Sequence, residues 1–311
     1  MKDRFVRFDW AIKRLLRQKA NFGVLEGFLT VFLGEKVTIV DILESESNQQ
    51  DEFDKFNRVD IKARNSKGEI IIVEVQNTSE VFYLERILYG VAKAITEHIS
   101  LGDDYGEVKK VYSISVLYFD LGEGDDYLYK GQTSFFGIHT NDELKITTRQ
   151  RDAIVRKAPE EIFPTYYLIR VNNFDRVAVS PMEEWMRYLK KGEISADAKA
   201  PGLQEAREKL LYYQMDPAER HAYDEHLNAV MIQNDVLGNA RAEGLAEGRA
   251  EGRIEGRAEG KAEGRAEGLA EGKTSQQMIT ARTMLSDGMS IDLVAKYTGL
   301  TKSQIEAFAA E

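Results

Sequence analysis

Asp60 and Glu74 are acids set among apolar, β-branched neighbours. Val59 and Ile61 flank the first, and Ile70, Ile71, Ile72, Val73 and Val75 surround the second, with Gln76 two residues further on. Such runs read as buried strands. Burying two carboxylates there is costly unless something binds them. A divalent metal is the usual partner, held through oxygen. The chemistry it would bring is hydrolysis: it lowers the pKa of a bound water and stabilises charge at a reacting phosphorus.

For this to work, both acids must share a face. The stretch RVDIKARNSKGEIIIVEVQ, residues 58–76, reads as two strands joined by a tight turn. A three-residue loop of Ser66, Lys67 and Gly68 would put glycine in the left-handed position such loops require. Asn65 then pairs with Glu69, and counting back sets Asp60 directly opposite Glu74. Opposed residues point to one face, with Cβ atoms roughly 5 Å apart. Gln76 and Lys62 lie on the same face, because side chains alternate. A four-residue loop would split the acids between faces, so the chemistry predicts the shorter one.

The elements that must hold this hairpin can be read in outline. Phe5, Phe8, Ile12, Leu15 and Leu16 recur at helical spacing over residues 5–19. A second helix is expected from Asn21, as cap, to Leu33, with Gly34 as stop. Residues 37–45 look like a strand, followed by a polar loop. A helix over 79–100 carries Leu84, Ile87, Leu88, Val91, Ile95 and Ile99 on one face. VYSISVLYFD at 111–120, FFGIHTN at 135–141 and YYLIRVNNF at 166–174 look like later strands, and PMEEWMRYLKKG at 181–192 like a helix with proline in its first turn. Helices flanking a mixed sheet give an α/β (α+β) fold. The reading divides the chain into a domain over 1–195, a linker at 195–202, a helical segment over 203–237, a repeat over 238–273 and a small helical module over 274–311.

The repeat runs in tetrapeptides of the AEGR type from Ala242 to Lys273. Each glycine costs roughly 1 kcal/mol in a helix relative to alanine. No Glu–Arg pair falls at i,i+3 or i,i+4, so an isolated helix should be weak. The Gly-x-x-x-Gly spacing lets two backbones approach closely, and the expectation is homo-oligomerisation through this helix, against a flexible tether. In the last segment Ser290 is a helix cap and Thr301 with Gln304 a capping box. This is similar to a small helix-turn-helix. Its last helix carries Lys302 against Glu306 and Glu311, which favours an interaction module over DNA reading.

Composition bounds the rest. The chain has 311 residues, no cysteine and a formal net charge of −10. There is no disulfide or thiolate metal site, which fits a reducing cytoplasm. Nothing near the start resembles a signal peptide, and no run is apolar enough for a membrane helix. The acidic balance opposes tight nonspecific DNA binding, so phosphate contacts would fall to local clusters. Those are Arg4, Arg7, Lys13, Arg14, Arg17 and Lys19, and later Arg149, Arg151, Arg156 and Lys157.

An aspartate, a hairpin, then Glu-x-Lys on the next strand is the pattern of the PD-(D/E)XK nuclease superfamily, which this hairpin resembles with Gln76 in place of lysine. Beyond the motif, the chain resembles the Rpn family of recombination-promoting nucleases and transposases. FDWAIKRLL at 8–16 looks like that family's opening helix, and Glu74-Val75-Gln76 matches its Glu-x-Gln form. Arg86-Ile-Leu-Tyr89, VYSISVLYFDL at 111–121, LIRVNNFD at 168–175 and the tandem EG repeats follow in order. The resemblance implies a restriction-endonuclease-like core with an α-helical C-terminal extension. It implies a Mg²⁺-dependent endodeoxyribonuclease acting on recombination or mobile-element DNA, with Mn²⁺ as substitute. Asp60, Glu74 and the Val75 carbonyl would hold the metal, with Glu26 a further candidate. Gln76 would assist the reaction, and Lys62, Arg86 and Tyr89 would line the cleft. The alternative is a catalytically weakened nucleic-acid-binding or regulatory protein of the same fold, with a role in defence against foreign DNA.

Overall fold

The computed structural model describes residues 4–44, 59–100, 102–150 and 153–309. In chain order the elements are α1 Phe8–Arg14, α2 Phe22–Leu33, β1 Ile39–Leu43, β2 Ile61–Asn65, β3 Ile70–Gln76, α3 Tyr83–Thr96, β4 Val111–Leu117, β5 Leu128–Gly131, β6 Ile146–Gln150, β7 Ala153–Lys157, β8 Thr165–Arg170, α4 Pro181–Lys191, α5 Leu203–Lys209, α6 Pro217–Ser286, α7 Ile291–Thr298 and α8 Lys302–Ala309. The chain forms two compact units, Met1–Val230 and Met231–Glu311.

The first unit is built on a six-stranded mixed sheet in the order β1-β2-β3-β4-β8-β5. The pairs β3–β4 and β4–β8 are parallel, while β1–β2, β2–β3 and β5–β8 are antiparallel. Parallel neighbours need a crossover, and α3 supplies the one between β3 and β4. Strand β3 therefore sits mid-sheet with helices on both faces, which explains its unbroken apolar run. Ile71, Val73 and Val75 face the main core with Phe8 and Ile12 of α1, Phe28 of α2 and Trp185 of α4. Ile70 and Ile72 face the other way, toward Val91 and Ala94 of α3. This is the mixed sheet flanked by helices that the residue pattern called for.

Several local expectations change. The first helix is shorter than residues 5–19 and stops at Arg14. Asn21 makes no cap bond to α2; its amide donates to the Leu15 carbonyl at 2.8 Å and ties the turn to the preceding helix. Leu84 and Leu88 of α3 are exposed, because the buried face runs through Tyr83, Ile87, Gly90, Val91 and Ala94. FFGIHTN forms no strand; only Phe136 bridges to Glu143, and Ile138 is exposed. The β6–β7 hairpin was not foreseen, and it carries Arg149, Arg156 and Lys157. Arg151 and the polar loop after β1 lie outside the described residues.

The expected linker at 195–202 is part of the first unit. Ala198 and Ala200 are buried. Glu184 accepts from the amides of Lys199 and Ala200 at 2.9 and 2.7 Å, and Trp185 Nε1 donates to the Pro201 carbonyl at 3.0 Å. The next residue, Gly202, has φ +81° and lies against Gly27 of α2. The main chain of this stretch is tied to α4. The boundary moves to Val230 as a result.

In the second unit α6 runs unbroken through the repeat. Its end packs with α7 and α8 around Ala281, Val294, Leu300 and Ile305. The Thr301–Gln304 capping box is present, with the Thr301 amide donating to Gln304 Oε1 at 2.9 Å and the Gln304 amide to Thr301 Oγ at 3.3 Å. Among the described residues no helix is long and apolar enough to cross a membrane.

A Cβ on Gly27 would lie 2.4 Å from backbone atoms of Gly202. Gly27→Ala should therefore lower the stability of the first unit by about 2 kcal/mol or more. The measurement is the urea midpoint, which should fall at unchanged slope.

Candidate active site

The β2–β3 hairpin has the register that the chemistry needs. Ile61 pairs with Val73 and Arg64 with Ile70. The Asn65 amide donates to the Glu69 carbonyl and the Gly68 amide to the Asn65 carbonyl. Gly68 has φ +79° and closes the three-residue loop. Continued by one residue, this register sets Asp60 opposite Glu74.

Strand β2 begins at Ile61, so the outer end of β3 has no partner there. Odd-numbered residues of β3 turn their amides and carbonyls toward β2, as the Asn65–Glu69 bond fixes. Val75 is one of these, and its amide donates to Asp60 Oδ2 at 2.7 Å. The Asp60 carboxylate thus replaces a missing strand. The Val75 carbonyl points to the same side.

Glu74 is 6% exposed on the α3 side of the sheet. Arg86, from the first turns of α3, pairs with it and with Glu80. Burial lowers the pKa of Arg86, and the field of Asp60 acts against that shift. Gln76 Nε2 donates to Glu80 Oε1 at 2.7 Å. Asp60, Glu74, Val75, Gln76 and Arg86, with Lys13, Arg14, Arg17 and Val59, line a cleft of about 520 Å³. It opens at the carboxyl end of β3, where ligands bind in sheets of this kind.

Three expected members lie elsewhere. Lys62 shares the Asp60 face but its Nζ is 2.7 Å from Glu97 Oε2, drawn to the far end of α3. Glu26 accepts from the Ile39 amide at 2.7 Å and so fixes the start of β1. Tyr89 is not among the cleft residues. The structure instead brings in α1. Lys13 Nζ lies 3.7 Å from Asp60 Oδ1, and Arg14 stacks over Trp10 at 5.0 Å. Sequence marked these cations as a basic cluster, yet no spacing rule links residue 13 to residue 60. Glu80 was missed for the same reason, since its role comes from the turn between β3 and α3.

The link from α1 to the cleft is Asp9. It is fully buried, accepting from Arg7 Nε at 3.0 Å, the Trp10 amide at 3.0 Å, Asn77 Nδ2 at 3.3 Å and His226 Nε2 at 3.1 Å. Burial alone would raise its pKa. The bond from His226 and the charge of Arg7 outweigh burial and hold it well below the usual carboxylate range. Asn77 follows Gln76 directly, so Asp9 fastens α1 to the end of the site strand.

Could the cleft hold a metal? Among the described residues no three His, Cys, Asp or Glu side chains group together. Two carboxylates and one main-chain carbonyl remain. That donor set suits a hard cation such as Mg²⁺, which binds one or two carboxylates and keeps several waters. It suits zinc less well, since zinc sites are built mainly on sulfur and imidazole with carboxylates beside them.

Comparison with known families agrees with this geometry. Residues 6–147 match the model of the PD-(D/E)XK nuclease family transposases, and residues 278–309 match the C-terminal helix-turn-helix domain of the Rpn/YhgA-like nuclease family. Together the two matches support an Rpn-type nuclease of the PD-(D/E)XK class. The first match spans the hairpin and the cleft helices, and the second coincides with the α6–α8 core of this Rpn-like chain. No curated protein and no solved structure matches it.

Asp9→Asn would leave Arg7 facing a neutral amide inside the fold. The loss should be about 3 kcal/mol at neutral pH. A depressed carboxylate pKa contributes stability above the unfolded value, near 4, and loses it as pH falls through the folded value. The gap between wild type and variant should therefore persist across neutral pH and close only in strong acid, as read by unfolding at a series of pH values.

Proposed function

We propose that this protein is a metal-dependent endonuclease that hydrolyses phosphodiester bonds in DNA. The observation that carries the reading is the register of the hairpin, with Asp60 opposite Glu74 at the open end of β3. Asp60, Glu74 and the Val75 carbonyl would hold Mg²⁺, or Mn²⁺ in its place. When bound, the metal supplies an activated water and a counter-charge for the transition state. The chain's own residues do the rest. Asp60, bonded to the Val75 amide, is fixed relative to β3. Lys13, Arg14 and Arg17 border the cleft and would draw in the phosphate backbone. Gln76, anchored on Glu80, lies beside the metal-holding acids and would orient the water. The match to nuclease family transposases supports a role on mobile-element or recombination DNA.

One observation favours a second reading, a weakened enzyme that binds or regulates. Glu74 already has a cationic partner in Arg86. A metal must then compete with a guanidinium.

For the repeat helix we infer pairing with a second copy of the chain, in parallel. On a helix, Glu and Arg two residues apart lie on opposite sides and cannot neutralise each other. Each glycine from Gly244 to Gly272 is thus flanked by a Glu column on one side and a mostly basic column on the other. A Cβ on any of these glycines would meet nothing within 4 Å. Two parallel copies meeting on the glycines set Glu against Arg or Lys on both flanks. Antiparallel copies set like against like, by the same logic as flanking positions in a coiled coil.

Incubation of supercoiled plasmid with Mg²⁺ tests the nuclease. Wild type should nick it, and Asp60→Ala should fall to background. A folded wild type inert with both Mg²⁺ and Mn²⁺ favours the second reading. The chain has no cysteine, so Gly244→Cys is a clean probe of the helix pair. Parallel pairing should give disulfide-linked dimers under mild oxidation. Monomer alone would reject it.

A further inference from the structure

Phosphodiester cleavage builds negative charge on the phosphate oxygens, and a cation in contact with them lowers the barrier. The residue next to Glu74 and Val75 on β3, where such a cation would sit closest, is the neutral Gln76, and its amide is already given to Glu80. The cleft must find that charge elsewhere. Its cationic lining is Lys13, Arg14, Arg17 and Arg86. Arg86 is held by Glu74 and Glu80, and Arg14 leans on the Trp10 ring. Lys62, which shares the face, is held by Glu97.

We propose that Lys13 is a catalytic residue of this cleft, reaching from α1 to contact a non-bridging oxygen of the scissile phosphate. The proposal rests on the nuclease reading above. Three observations support it. Lys13 Nζ lies 3.7 Å from Asp60 Oδ1, inside ion-pair range yet beyond a hydrogen bond, so the ammonium keeps its donors for a ligand. Its side chain is 45% exposed, while Asp60 is 17% exposed, which puts the ammonium at the mouth and the acid behind it. And its helix cannot drift. Phe8, Ala11 and Ile12 have no exposed surface, and Asp9 is bonded to Asn77 at the end of β3. The fold thus sends a cation from one layer across to an acid in another.

Lysine here acts as a point charge with rotatable donors, so the charge matters more than its exact origin. That gives a test by relocation. Lys13→Gln should lower kcat for plasmid nicking by about 10²-fold, with the KM for DNA and the binding of Mn²⁺, measured by calorimetry, near wild type. Lys13→Arg should retain more activity than Lys13→Gln. Adding Gln76→Lys to Lys13→Gln should recover at least 10-fold of the loss, about 1.4 kcal/mol. Lys109→Ala, at a partly exposed lysine outside the cleft, controls for the change in net charge. The proposal falls if Lys13→Gln keeps the wild-type kcat, or if it raises KM alone. It also falls if Lys13→Gln loses kcat and the double variant recovers nothing. A wild type that does not nick at all would overturn the nuclease reading and this proposal together, and is recognised before any variant is made.

Discussion

Where β2 stops at Ile61, β3 runs on to Gln76 with its β2-facing side unpaired. An amide buried there without a partner costs about 1–3 kcal/mol. Asp60 satisfies it through Oδ2, and in doing so is held at a fixed height over the strand. The cleft follows from that replacement. The strand end is open because the ladder has ended, the acid is present because the amide needs it, and the carbonyl of the same residue is left facing the opening. Had β2 been two residues longer, the sheet would be more regular and the oxygen donors would not converge.

The surrounding charges are arranged by layer. The two faces of β3 alternate, so Glu74 and Gln76 fall on the α3 side while Val73 and Val75 fall on the core side. Arg86 and Glu80 approach from the α3 side, and Lys13 from α1 on the other. A chain of net charge −10 can therefore still present cations at one opening. Local arrangement, not overall sign, sets the field that a phosphate meets.

Much of the hairpin was legible because its rules are local. Gly68 fixes the loop, the loop fixes the register, and the register fixes which side chains share a face. The Thr301–Gln304 capping box was legible for the same reason, whereas Ser290 takes the N-cap position of α7 without a side-chain cap bond. What escaped was mostly set by contacts distant in sequence, though the local β6–β7 hairpin escaped as well. Lys62 obeys its face but answers to Glu97, thirty-five residues away. Glu26 looks like a metal ligand on an apolar helix and is instead the partner of a strand amide. The stretch 195–202 has the letters of a linker, yet Ala198 and Ala200 are buried, and a Cβ on Gly202 would lie 2.9 Å from the Gly27 Cα. The strand expected at FFGIHTN had the right residues, but only one bridge forms there, from Phe136 to Glu143.

The tetrapeptide repeat has a property that no single copy of it reveals. Four residues advance 400° around a helix of 3.6 residues per turn, so each column drifts by about 40° per repeat. A surface made of such columns looks the same after every step of four. Two copies lying along one another could slide by a repeat and meet an equivalent partner each time. Only the departures from the consensus, Leu245, Ile254, Lys261, Leu269 and Lys273, distinguish one alignment from the next. They serve as index marks on an otherwise uniform ruler, and the exactness of any alignment depends on five side chains out of the whole array.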